Sequence, residues 1–136
     1  MAGPAALSSA LAICLVALLC GCGGGGGDKK EAEQTVRAFV KAVNERDADT
    51  YCDELITKEF REKSTFAKGD EATDSCKRQL KSIKGLHIEL ARIVSTKIDG
   101  DKATVVAVLR RPGGQVRQRL QLEKDGGDWK LSGGGP

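Results

Sequence analysis

Histidine, aromatic side chains and early charge are what this sequence is short of. One histidine, His87, stands in 136 residues, so no imidazole cluster can assemble and neither a metal site nor a cofactor is expected. Aromatic residues make up 4% of the chain, which leaves few for the walls of an aromatic cleft. The formal net charge is +3 at pH 7, too mild an excess to call for nucleic acid. No Lys, Arg, Asp or Glu precedes Asp28. Every charged side chain therefore lies from Asp28 onward.

That uncharged beginning has its own pattern. Ala5 to Leu19 is an apolar run interrupted only by Ser8 and Ser9, shorter than the roughly 20 residues a membrane-spanning helix needs. It stops at Leu19-Cys20-Gly21-Cys22, followed by five glycines. The four residues resemble the bacterial lipobox, with Gly21 as the small residue before cleavage and Cys22 as the lipidated cysteine. Two departures stand: Met1 to Pro4 holds no Lys or Arg, and Cys20 is unusual in its place. The resemblance implies a signal peptide over 1–21, a lipidated Cys22 and a flexible glycine tether to residue 27. Two or more acyl chains anchor stably where one binds only reversibly, so the expected location is the cell membrane, facing away from the cytoplasm. The other reading is an uncleaved N-terminal anchor helix.

Export changes the meaning of the cysteines. Cys14 and Cys20 leave with the leader and Cys22 carries lipid, so Cys52 and Cys76 remain in a compartment that permits disulfides. An even pair suggests one bridge; a reactive thiol is the alternative. Beyond the tether about 110 residues remain, enough for one domain with a single modest core.

Along that domain, Asp28 and Glu31 have capping-box spacing, and Ala32, Val36, Phe39, Val40 and Val43 continue on one helical face. Asp47 to Asp49 caps an expected second helix with Tyr51, Cys52, Leu55, Ile56 and Phe60 inward. Asp70 caps a short third helix carrying Cys76 and Leu80. From Leu86 the period becomes two. Leu86, Ile88, Leu90, Val94 and Ile98 share one face, with a bulge or twist near Ala91 and Ile93. Asp99-Gly100 signals a hairpin. Ala103 to Arg110 is apolar on both faces, Val116, Leu120 and Leu122 face inward, and Trp129 and Leu131 begin a last strand. Residues 133–136 read as a disordered tail. Three N-terminal helices and then about four antiparallel strands make an α+β domain with the helices on one face of a curved sheet.

Three segments resemble the NTF2-like (nuclear transport factor 2-like) superfamily: Val36 to Asn44 with Asp47, Tyr51 to Thr57, and the closing Gly127-Asp128-Trp129-Lys130-Leu131. The likeness runs over 28–132 and implies a cone, in which a bent sheet wraps the long helix and leaves a pocket at one end. The cysteine pair also looks like that of small exported lipoproteins of this type from high-GC Gram-positive bacteria. The superfamily includes isomerases, dehydratases, cyclases and non-catalytic binding modules, so the fold does not choose among them.

Three kinds of site compete. An isomerase or cyclase needs an acid and a base converging on a pocket. Tyr51 is the only tyrosine, His87 is expected on a strand surface, and no carboxylate pair falls on an inward face, so no catalytic residue is assigned. A small apolar ligand in the cone implicates Phe39, Tyr51, Phe66 and Trp129. A surface for an anionic polymer, an envelope protein or a second copy of the chain through the sheet implicates Arg110, Arg111, Arg117 and Arg119, because the planar guanidinium fork suits carboxylate and phosphate. The expectation is a non-catalytic binding or interaction role, with an exported enzyme as the alternative.

Overall fold

The computed structural model describes residues 26–135. The expected leader, Cys22, the first part of the glycine run and Pro136 lie outside the described residues.

Helix α1 (Gly26–Glu45) buries Ala32, Val36, Val40, Ala42 and Val43, so the three-to-four spacing that marks it as a helix also builds its contact face. It begins at Gly26, which makes Gly26 and Gly27 its first turn and not tether. Asp28 does not cap it. Its carboxylate instead meets Lys124 Nζ at 2.6 Å, joining the helix start to the sheet. Arg46 ends the helix in the left-handed conformation, with φ 57°.

The expected second helix is broken. Thr50–Leu55 forms a single π-helical segment, Ile56 is extended, and α2 runs over Lys58–Thr65. The break falls at Thr57, which is 3% exposed. Its N–H donates to the carbonyl of Leu131 at 2.8 Å, and its hydroxyl accepts from the N–H of Phe60 at 3.2 Å, capping α2. Sheet pairing and helix capping thus use one residue. Helix α3 (Gly69–Ser82) is longer than expected and buries Ala72, Cys76 and Leu80. Its approach is fixed by Glu62, whose carboxylate accepts from the N–H of Gly69 at 2.9 Å.

Four antiparallel strands complete the domain in the order β1-β2-β3-β4: β1 (Glu89–Asp99), β2 (Lys102–Arg111), β3 (Gly114–Asp125) and β4 (Asp128–Gly135). Leu86 and Ile88 precede β1 and belong to a loop, contrary to the sequence pattern. Register shifts between Leu90 and Arg92 and between Ile93 and Ser95 then change which residues point in. Ile93 packs against the core while Val94, expected inward, is exposed. Each bulge inserts one residue and reverses the alternation beyond it. At the first hairpin Asp99 pairs with Lys102, so Gly100 and Asp101 form the turn. The terminal glycines are not a frayed tail: Gly133, Gly134 and Gly135 pair with Gln121, Leu120 and Arg119.

The helices lie on one face of this curved sheet, as the segregated pattern predicts. Val36, Val105, Leu120, Leu122, Leu131 and Trp129 meet in one buried cluster. The cone is therefore filled along most of its length. Its rear is tied by the Cys52–Cys76 disulfide, which links the π-helical segment to α3. Beside it Lys77 Nζ lies 2.7 Å from Asp49 and 2.8 Å from Asp53. Among the described residues no helix is long and apolar enough to cross a membrane.

The bridge spans a sequence separation of 24 residues, and closing a loop of that size stabilises the native state by about 3.5 kcal/mol on the chain-entropy account. A domain this small has about 5–15 kcal/mol in all. Cys52→Ala/Cys76→Ala is expected to lower the urea-unfolding free energy by about 3 kcal/mol. A loss below about 1 kcal/mol would show that the core alone sets the fold.

Candidate functional site

Among the described residues an apolar opening lies between the helices. Phe39 and Val43 of α1, Tyr51 of the π-helical segment and Leu80 of α3 form its floor, and Ile83, Leu86 and Ile88 form its lip. Ser64, Thr65 and Gln79 supply polar groups at the rim. The volume is about 240 Å³, just under the roughly 300–1,000 Å³ of sites that hold drug-sized ligands. It suits a short alkyl chain or a single ring system.

The lip is a loop held in place by α1. Asn44 donates from Nδ2 to the carbonyl of Ile88 at 2.7 Å and accepts its N–H at 2.8 Å, a two-point clamp on the backbone. The guanidinium of Arg46 donates to the carbonyls of Ile83 at 3.0 Å and Leu86 at 2.9 Å, and also to Val43. These bonds satisfy loop carbonyls that no strand pairs. They leave Ile83 38% exposed at the edge of the opening.

Inside, the Phe39 and Tyr51 rings tilt against each other with centroids 5.8 Å apart. Burial pushes the Tyr51 hydroxyl above its ordinary range, which makes it a poorer proton donor. No Asp, Glu, His, Lys or Arg is among the lining residues. Nothing in the wall can take up a proton near neutral pH, so the chemistry on offer is apolar contact with a few hydrogen bonds.

The four pocket residues chosen from sequence thus separate. Phe39 and Tyr51 share the opening. Phe66 does not reach it: as the residue after α2 it takes the left-handed conformation, φ 57°, which swings its ring off the helix face and leaves it 97% exposed. Trp129 is 4% exposed and fills the cone at the opposite end. The hydroxyl of Thr35 donates to its carbonyl at 3.0 Å, and Lys124 Nζ sits 5.3 Å from its ring centroid. Leu86 and Ile88 read from the sequence only as strand residues, and no local signal marks them or Ile83 as a lip.

The arginines also divide. Arg117 and Arg119 point to the outer face of the sheet, in register with Val108 and Val106. Arg110 is tied to Glu89 at 2.9 Å, and Arg111 is exposed beside the second hairpin. His87 is exposed in the loop before β1. Among the described residues no group of three or more His, Cys, Asp or Glu could hold a metal ion.

Comparison with solved structures bears on the fold alone. The chain is similar to an uncharacterized protein with a cystatin-like fold from Caulobacter vibrioides, at 21% identity and a TM-score of 0.57 over 79% of this chain and 87% of the other. It is similar to a SEC-C motif containing protein from Rhodopseudomonas palustris, at 24% identity and a TM-score of 0.50 over 76% of each. A de novo designed NTF2-fold protein superposes at a TM-score of 0.48 with 14% identity, over 77% of this chain and 84% of its own. No protein-family profile matches the sequence, and no curated protein does.

Electrostatics outside the opening set an acid limit. The ammonium of Lys124 holds the Asp28 carboxyl below its ordinary value of 3.8, and Lys77 does the same for Asp49. Both lysines are raised in return. A depressed carboxyl stabilises the fold above its unfolded value, and that contribution is lost as pH falls through the folded one. A raised lysine contributes below its ordinary 10.5 and loses that as pH rises further. Thermal midpoints should therefore be flat through neutrality and fall below about pH 4. Asp28→Asn should shallow that acid limb, and an unchanged limb would show that the Asp28–Lys124 pair contributes nothing in solution.

Proposed function

We propose that this chain is a lipid-anchored, extracytoplasmic binding module of NTF2-like type, of the kind exported by high-GC Gram-positive bacteria. In this reading its helix-lined opening holds a small apolar molecule without transforming it. The observation that carries the binding reading is the wall itself, in which Phe39, Tyr51, Ile83, Leu86 and Ile88 surround a volume of about 240 Å³ with no acid or base among them. An isomerase-like reaction needs a proton acceptor within hydrogen-bond reach of the substrate, and the lining offers none. The buried cluster of Trp129, Leu122 and Leu131 supports the same reading, because it leaves no room for a substrate there.

The address rests on separate support. Leu19-Cys20-Gly21-Cys22 carries the lipobox likeness, and a disulfide between Cys52 and Cys76 suits an oxidising compartment. Anchoring by Cys22 places the domain at a membrane surface, where short apolar molecules and lipid fragments are available.

Ile83 is the residue to alter, since its exposed position tolerates substitution without opening the core. Ile83→Arg is expected to weaken binding of the neutral dye Nile red by tenfold or more while leaving the thermal midpoint within about 2 °C, as surface changes usually do. Equal dye binding by the two proteins would remove the opening as the ligand site.

A further inference from the structure

The sheet has two edges, and they are protected differently. β1 forms one of them. Register shifts break its ladder between Leu90 and Arg92 and between Ile93 and Ser95. Asn44 holds the backbone of Ile88 just ahead of it, and Arg92 and Lys97 put charge along it. Bulges and charges are the ordinary means by which a free edge is kept from pairing with another chain.

β4 forms the other edge, and its cover stops half-way. Thr57 donates to the carbonyl of Leu131 at 2.8 Å, and Ile56 bridges to the same residue. Leu131 therefore turns its backbone outward, away from β3. The register shift between Gln121 and Leu122 inserts Ser132, which leaves Gln121 opposite Gly133 and Leu120 opposite Gly134. Outward and inward residues alternate along an antiparallel edge, so past the inserted residue the next backbone turned outward is that of Gly134. Among the described residues no backbone hydrogen bond from outside the sheet reaches residues 132–135. The end of β4 thus presents an N–H and a carbonyl that the rest of the fold leaves unused.

These groups border a groove. About 490 Å³ lies between the end of β4 and α2, with Phe60 and Lys63 on the helical side and Arg119 on the strand side. Gly133, Gly134 and Gly135 line it with bare backbone. Packing inside the protein accounts for two of these glycines: a Cβ at Gly133 would lie 3.1 Å from Gln121 Oε1, and one at Gly134 would lie 3.3 Å from Leu120 Cδ2. It does not account for Gly135, where an added Cβ would meet nothing within 4 Å. Glycine inside a strand often marks a place where another backbone approaches closely.

We infer that this groove takes an extended, acidic segment of a partner protein, which joins the sheet beside residues 132–135 as a fifth strand. The backbone chooses the class of occupant. Outward N–H and carbonyl groups on a strand edge are matched by another extended chain, and the pockets beside them read its alternate side chains. Phe60 offers one apolar contact. Lys63 and Arg119 are the charged residues of the lining, with no acid among its members, and they suit carboxylates. A second copy of β4 fits less well, because its own end brings glycines to a groove that offers three side chains. The residues ahead of Asp28 fit less well too, since they hold no carboxylate.

The test uses the full chain in neutral detergent micelles and a fluorescein-labelled hexapeptide of alternating glutamate and valine, capped at both ends. Binding is followed by anisotropy and by amide hydrogen exchange. At saturating peptide the Gly134 amide is expected to exchange about tenfold more slowly or better. Gly134→Pro removes that donor at an edge position, where proline is tolerated, and should weaken binding by about tenfold. The same peptide N-methylated throughout keeps its charge and has no N–H to donate; on the unaltered protein it should bind about tenfold more weakly. Equal binding by the two peptides would reduce the effect to charge and overturn strand addition. An unchanged Gly134 amide, or no binding at low salt, would overturn it as well. A Gly134 amide already protected in the free chain, together with a dimer mass in native mass spectrometry, would make a second copy the occupant and overturn the partner segment. None of these outcomes depends on the apolar opening, so the two proposals stand or fall separately.

Discussion

The backbone hydrogen bond from Thr57 to Leu131 is the joint on which the rest of the arrangement hangs. The segment between the helices bridges to β4, with Ile56 beside Leu131. Here it is pinned at one buried threonine, whose N–H completes the edge of β4 and whose hydroxyl starts α2. The pin interrupts what the apolar spacing marks as a single helix. On one side of it the chain winds as a π-helical segment that turns Cys52 toward Cys76, and on the other α2 leaves along the sheet edge. An unmade bond here would leave a buried donor without water, a cost of about 1–3 kcal/mol, and would release both segments together.

The opening lies where α2 ends: the helix stops at Thr65, Phe66 turns left-handed, and the floor made by Phe39, Tyr51 and Leu80 is left open with Ser64 and Thr65 at its rim. The loop from Ile83 to Ile88 bends back to form a lip, and Asn44 and Arg46 hold that bend through its carbonyls. The gap is thus walled by helical residues and by the apolar loop residues Ile83, Leu86 and Ile88. The cone is packed solid around Trp129 and Leu131.

Much of the fold was legible because burial imposes a period. Ala32, Val36, Val40 and Val43 mark α1, alternation around Val116, Leu120 and Leu122 marks β3, and the two-sided apolar run of β2 marks a central strand. Cys52 and Cys76, the two cysteines within the domain, were also a fair guide to the bridge. Illegible features were those that depend on a partner distant in sequence. Two bulges exchange Val94 for Ile93, and the terminal glycines form strand only because Arg119 to Gln121 lie beside them. Phe66 looked like a pocket residue because composition cannot show a left-handed helix end.

The measurement that tests the central claim most directly is native mass spectrometry of the full chain extracted from its own membranes in neutral detergent. A lipid-anchored binding module predicts a polypeptide that begins at Cys22 with acyl groups attached, accompanied by a population carrying one small apolar molecule that Ile83→Arg loses. A chain that begins at Met1, carries no lipid and is empty in both proteins would contradict the anchor and the binding role together.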